Sequence, residues 1–279
     1  MLSKIFSLLK MTRPVNILMA VLTLLAGYCL MGVYPSALQV VVESLAFAAA
    51  IAFGNIHNDI LDTETDAINR PDRALPSKMV TFPLANSLAT LCFAAPLLLT
   101  FGLLNSTLHA TFFALLLLAL FAYNRSLKNI PLIKNVSVAF LCTTPLLLTT
   151  LLPGAKPLFI YPVLLFAFFF TFSRELLKDI EDEHGDFKAG IPTFPVLVGA
   201  PAARRVSNIS LIFSLHTLFL PVLVGIYHPS FLIFAGIPVT ALTIVAILKT
   251  RNKQYKTSQN LIKLAMLVGI VGLIVSQRF

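Results

Sequence analysis

Nine stretches of this chain are apolar for roughly the 20 residues that a helix needs to cross a bilayer. They are residues 15–34, 37–57, 80–103, 107–123, 135–153, 157–174, 206–226, 229–248 and 259–277. The pattern predicts an all-α, polytopic membrane protein forming a single domain over residues 1–279. Composition agrees, at 57% hydrophobic, 12% charged and a mean hydropathy of +0.87. Soluble domains carry about 25% charged residues, and this chain has too little polar surface to coat a water-soluble core. Pro153-Gly154 divides the fifth run from the sixth. Pro96, Pro145, Pro162, Pro221 and Pro238 fall inside runs and read as kinks that neighbouring helices satisfy. Lys4, Lys10 and Arg13 precede the first run, but no small-x-small cleavage site follows it, so it is not read as a removed signal. Cys29, Cys92 and Cys142 lie within runs and read as small buried hydrophobes, not disulfides or metal ligands.

The net charge of +9 does not point to nucleic acid, because its placement is topological. With nine spans, all Lys and Arg residues but Lys156 and Arg278 fall on the side that holds the N-terminus and loops 58–79, 124–134, 175–205 and 249–258. Basic loops stay in the cytoplasm. The expected placement is a multi-pass protein of the cytoplasmic membrane, with its N-terminus and these loops cytoplasmic.

The acids are more localised still. All twelve except Glu43 lie in two groups, each directly after an apolar run on that same side. Asn55, Asp59, Asp62 and Asp66 are spaced i, i+4, i+7, i+11, and so are Glu175, Asp179, Asp182 and Asp186. At 100° per residue such positions share a helical face to within about 40–60°. The match suggests an internal pseudo-repeat of span, carboxylate-bearing helix end and Gly/Pro-containing loop. Carboxylates crowded on one face are either protonated or hold a cation. Hard oxygen ligands favour Mg2+, Mn2+ or Ca2+ over Zn2+. Mg2+ takes few carboxylates and completes its shell with waters and substrate phosphates. Arg70, Arg73 and Lys78 follow the first group, and Arg174, Lys178 and Lys188 flank the second. Tyr123, Arg125, Lys128 and Lys134 lie between them. Cations beside acids suit a metal-neutralised polyphosphate. Glu64, Glu181 and Glu183 lie off the shared face and read as solvated. His57, His109, His184, His216 and His228 form no ligand set, and the Phe-rich run 166–172 reads as lipid-facing or core.

Taken in order, "RPVN" (13–16), "NDILDTETD" (58–66), "NRPDRALPS" (69–77), "YNRSLK" (123–128) and "DEHGD" (182–186) resemble the motifs of the UbiA superfamily of intramembrane prenyltransferases. The resemblance covers nearly the whole chain. It implies nine transmembrane helices around a central cavity capped by two Asp-rich cytoplasmic loops. It also implies transfer of a prenyl group from a prenyl diphosphate to a lipid-soluble acceptor, with two Mg2+ ions bound with the diphosphate. By the same resemblance Asp59, Asp62, Asp66, Asp179, Asp182 and Asp186 are the metal ligands and catalytic carboxylates. Asn55 and Asn58 line the site, while Arg70, Arg73, Lys128 and Lys178 are diphosphate ligands. Tyr123 and Asn16 lie near the reacting carbon or the acceptor. An apolar cavity would keep water from quenching an allylic cation.

The run "SRELLKDIEDEHGDFKAGIPTFPVLVG" (173–199) most resembles the branch that forms ether lipids. There geranylgeranyl diphosphate alkylates the free glycerol hydroxyl of geranylgeranylglyceryl phosphate. Alternatives are prenylation of an aromatic acceptor (4-hydroxybenzoate, naphthoate or chlorophyllide type) and, outside the class, cation transport. Transporters place their carboxylates near the midplane in broken helices, whereas these acids follow spans. Membrane lipid is the expected surrounding partner; no nucleic acid and no obligatory protein partner are expected.

Overall fold

The computed structural model describes residues 2–277. Among these residues the regular structure is helical throughout, with no strand. In chain order the α-helices are α1 (Leu2–Thr12), α2 (Pro14–Met31), α3 (Ala37–Leu61), α4 (Thr63–Asn69), α5 (Phe82–Gly102), α6 (Thr107–Arg125), α7 (Ile133–Thr149), α8 (Tyr161–Lys188), α9 (Phe194–Val198), α10 (Ala200–Leu223), α11 (Ile237–Arg251) and α12 (Tyr255–Ser276). A π-helical turn, Leu232–Gly236, leads into α11.

Each expected apolar run falls on one of these helices. Seven of them, α11 taken with its π turn, are long and apolar enough to cross a membrane. The other two runs meet α7, which has only 17 residues, and α8, whose 28 residues begin apolar and end charged. Length and composition therefore support seven of the nine expected crossings. The surface is that of a protein solvated by lipid. Leu98 and Leu115 are 69% and 62% exposed, while Ser207 and Thr243 are fully buried. In hydrocarbon, polar groups must find partners inside and apolar ones need not hide. Two sequence expectations change. Pro162 is not a mid-helix kink but lies in the first turn of α8, where a missing N–H costs nothing, and Pro238 follows a π turn that runs on into α11. None of the cysteines is buried: Cys29 and Cys92 are half-buried and Cys142 is exposed, all with free thiols. The residues before the first span form a helix of their own, α1. It exposes Ile5, Phe6 and Leu9 beside Lys4 and Lys10, the composition of a helix lying in a membrane surface.

The helices pack as two compact units, Met1–Val21 with Pro35–Leu127, and Leu22–Tyr34 with Lys128–Phe279. In the first unit α3 packs against α1, α5 and α6. Ser36 caps α3 by accepting from the Gln39 amide at 3.2 Å. Phe47 meets Phe112 and Phe113 edge-on. Gly54 lets Leu120 approach so closely that an added Cβ would sit 3.0 Å from it. The acid outside both clusters, Glu43, is fully buried. It accepts from Gln39 Nε2 at 2.8 Å and lies 3.1 Å from His109 Nε2. Ser106 Oγ is 2.6 Å from the other ring nitrogen, Nδ1. This polar knot pins the N-terminal end of α6 to the N-terminal half of α3, far along α3 from the aspartates.

In the second unit α8 packs on α7, α10 and α12, and α11 on α12. Ser173 and Ser207 face each other at 2.7 Å, and Ser210 donates to the Phe169 carbonyl at 2.9 Å. Small hydroxyl residues of this kind let helix backbones approach and hydrogen-bond across the gap. They seat α8 against α10 just before its charged end.

Candidate active site

The first acidic group spans a break. Asp62 ends α3 and begins α4 at φ −93°, ψ 8°, so Asp66 belongs to a separate short helix. The single helical face expected from the i, i+4, i+7, i+11 spacing is interrupted there. Thr63 Oγ1 covers the carbonyls of Asp59 and Ile60 at the break, at 2.9 and 3.0 Å. What gathers the carboxylates is arginine. Arg73 Nη1 donates to Asp59 at 3.3 Å and also to Asp66. Arg13 Nη2 reaches Asp59 at 3.4 Å. Asp62 accepts from Asn58 Nδ2 at 2.9 Å. Asn55 is turned to the end of α1, donating to the Thr12 carbonyl at 3.2 Å. Arg70 is exposed, with its backbone N–H on the Asp66 carbonyl. Asn16 is exposed in the first turn of α2, and Tyr123 is half-buried in the last turn of α6.

The second group lies on one unbroken helix, α8, as its spacing requires. Asp179 is 1% exposed. Lys134 Nζ donates to its Oδ1 at 2.7 Å and Asn135 Nδ2 to its Oδ2 at 2.8 Å. Glu175, one turn earlier, pairs with Arg174 at 2.8 Å and Lys178 at 3.4 Å. Lys178, expected on a diphosphate, is thus held beside a carboxylate, as Arg73 is. Asp186 has its Oδ2 buried without a hydrogen-bond partner. Burial raises its pKa above the ordinary carboxylate range, Lys134 and the neighbouring Thr193 hydroxyl oppose this, and Asp179 and Asp182 add to it. Asp182 is half-buried between them, and Lys128 is half-buried in the 3-10 turn Leu127–Asn129. Glu181, read as solvated, accepts from Gln259 at 2.7 Å.

Sequence reasoning gave no role to Asn135 and paired neither Lys134 nor Arg13 with a particular acid, yet each contacts an aspartate. An asparagine at the head of an apolar run, as in "IKNVSV", was the available signal, since a buried polar group there needs a partner. Asn124 was also missed. It is buried in α6 and donates to the Gly54 carbonyl at 2.8 Å, and His57 beside it is stacked between Phe53 and Phe121.

Among the described residues no three His, Cys, Asp or Glu side chains converge as a ready-made metal cage. The donor set still fits Mg2+. Its oxygens are hard, and Mg2+ binds through one or two carboxylates with waters and phosphates making up the rest. The buried Asp186 Oδ2, which makes no hydrogen bond of ordinary geometry, is a hard oxygen of the kind that Mg2+ takes. Arg73 pairs with Asp59 and Asp66 and Lys134 with Asp179, whereas Lys178 pairs with Glu175, which is outside the expected ligand set.

Residues 20–268 match the model of the UbiA prenyltransferase family. The chain is 32% identical over 279 residues to the digeranylgeranylglyceryl phosphate synthase of Methanopyrus kandleri, covering 96% of this chain and 98% of that one. It is 32% identical over 269 residues to the enzyme of the same name from Pyrococcus abyssi, covering 95% and 94%. The fold matches a UbiA homologue of Archaeoglobus fulgidus, solved bound to DMAPP and Mg2+, with a TM-score of 0.72 at 17% identity, over 96% of this chain and 99% of that one.

Proposed function

Since this chain belongs to the UbiA prenyltransferase family, we propose that it forms an ether lipid by Mg2+-dependent transfer of the geranylgeranyl group. The donor is geranylgeranyl diphosphate and the acceptor the glycerol hydroxyl of geranylgeranylglyceryl phosphate. The observation that carries this reading is identity of 32% to digeranylgeranylglyceryl phosphate synthases along nearly the full length of both chains. In the transfer, the bond between C1 of the prenyl group and the diphosphate oxygen breaks. A bond from C1 to the glycerol oxygen forms, and the hydroxyl proton is released.

Asp59, Asp62 and Asp66 in one unit and Asp179, Asp182 and Asp186 in the other are the proposed metal-binding carboxylates, and each set is required. When bound, Mg2+ supplies neutralisation of the leaving diphosphate. Arg70, Arg73, Lys128 and Lys178 bind diphosphate oxygens, with Asn55 and Asn58 as polar lining and Tyr123 and Asn16 near the acceptor. Donors already in place at the leaving group act without reorganisation during reaction. Both units belong to one catalytic domain with nine crossings and an apolar cavity. The protein sits in the cytoplasmic membrane with its acidic helix ends and N-terminus on the cytoplasmic side, where the basic loops lie.

The test is an acceptor panel with the purified protein. Labelled geranylgeranyl diphosphate is offered with geranylgeranylglyceryl phosphate, 4-hydroxybenzoate or a naphthoate. An ether-linked product with the glyceryl phosphate and none with the aromatic acids is expected. Product only with an aromatic acid overturns the acceptor assignment.

A further inference from the structure

The turn between α11 and α12 is not used by the chemistry above. Both helices, α11 with its π turn, are long and apolar enough to cross a membrane, so the turn lies at a membrane boundary. It carries a pocket of about 430 Å³ lined by Lys249, Lys253 and Lys256, with Tyr255, Thr257 and Glu181 among its walls. Three lysines face one carboxylate. That carboxylate is already engaged by Gln259 at 2.7 Å and by Lys256 at 3.8 Å. Lys249 and Lys253 have no carboxylate partner among the described residues. The amides of Tyr255, Lys256 and Thr257 form the first turn of α12, where no intrahelical acceptor exists. Gln254, at the cap position, offers them no side-chain bond.

We infer that this pocket binds the phosphate of an anionic lipid at the headgroup layer, held by Lys249, Lys253 and Lys256. Basic loops serve topology alone when they are simply solvated. Here the lysines line a concavity shared with backbone donors, at the shared end of two helices long and apolar enough to cross a membrane. Basic pockets between membrane helices bind anionic headgroups, and each lysine near such a surface strengthens binding about fivefold. Glu181 stands on α8 between Asp179 and Asp182, which places the pocket beside the second acidic motif. Two lipids carry the required phosphate: a bulk anionic lipid and the phosphate-bearing acceptor. The second source rests on the function proposed above, and the first does not.

The intact protein in nanodiscs of neutral phosphatidylcholine is titrated with dioleoyl phosphatidate and, separately, with inorganic phosphate. The same titrations are run on the triple variant Lys249→Gln/Lys253→Gly/Lys256→Gln. Lys253 has φ +57°, so glycine there relieves a left-handed residue, and thermal melting verifies that the variant folds. Saturable phosphatidate binding, weakened at least tenfold in the variant and restored when the three lysines are replaced by arginine, supports the site. Equal phosphatidate binding in both proteins overturns it, as does inorganic phosphate binding as tightly as phosphatidate. Kinetics then separate the sources. A raised KM for geranylgeranylglyceryl phosphate with unchanged kcat identifies the acceptor, and an unchanged KM with lost phosphatidate binding identifies a bilayer lipid. Phosphatidate binding is read without turnover, so its failure is distinct from failure of the enzymatic reading.

Discussion

Asp179 shows how far a carboxylate's surroundings decide what it can do. It is buried, with Lys134 and Asn135 each donating to one of its oxygens. Removing one member of a buried ion pair leaves an uncompensated charge, at a cost of about 3–5 kcal/mol. Lys134→Met is therefore expected to lower the melting temperature sharply. The double variant Lys134→Met/Asp179→Leu recovers most of that loss, because an apolar pair can replace a buried ionic one with little change. It stays inactive, because the carboxylate is gone. Recovery of turnover in the double variant would remove Asp179 from the machinery. Asp62, half-buried and bonded to Asn58, bears less of the fold. Asp62→Ala should reduce kcat/KM by about 10²-fold or more while circular dichroism and melting stay near wild type. The aspartates were legible in the sequence through their spacing at span ends. Their partners were not, because Lys134 and Asn135 are 45 and 44 residues away from Asp179, and no local pattern links them.

Helices that meet inside a membrane gain nothing from excluding water, so their contacts depend on close approach and a few hydrogen bonds. Gly272 in α12 shows the limit: a Cβ built there collides with the Phe234 carbonyl and crowds the Cα of Ala235, in the π turn before α11. Backbone cannot give way as a flexible side chain can. Gly272→Ala is expected to destabilise the second unit by about 1–3 kcal/mol, read as a lowered melting temperature in detergent. Gly102, with open space around its added Cβ, is the control and should tolerate the same change. Apolar run length made the helices legible, and hydroxyl contacts such as Ser173 with Ser207 were hidden in runs that read as uniform grease. The break at Asp62 was also illegible. Its i, i+4, i+7, i+11 spacing is that of continuous helix, and only the backbone angles reveal two helices.

At the scale of the whole chain, run length and charge placement gave the class of protein and nine apolar runs, seven of which fall on helices of spanning length and composition. They could not give the division into two units, which is a property of which helices pack together. Each unit bears one acidic helix end, and among the described residues neither presents three converging carboxylates. That has a thermodynamic consequence. A metal site of the kind proposed, with so few protein ligands, binds Mg2+ weakly by itself, and diphosphate oxygens join waters in completing its shell. Under the proposed function Arg73, now held on Asp59 and Asp66, likewise binds the diphosphate well only once a metal has displaced it. Each ligand thus prepares the site for the other, and such coupling is reciprocal. Mg2+ alone, or a non-reactive geranylgeranyl diphosphate analogue alone, should shift the melting temperature little. Together they should give a shift larger than the sum, on the order of 2.7 kcal/mol when the pair is at a hundredfold excess over its Kd. Hydrogen exchange should then slow at residues 58–70 and at 179–190 alike, since the proposal requires both aspartate sets. A full shift with Mg2+ alone would mean a preformed metal cage, and slowing in only one of these segments would leave the other set of aspartates without a part in substrate binding.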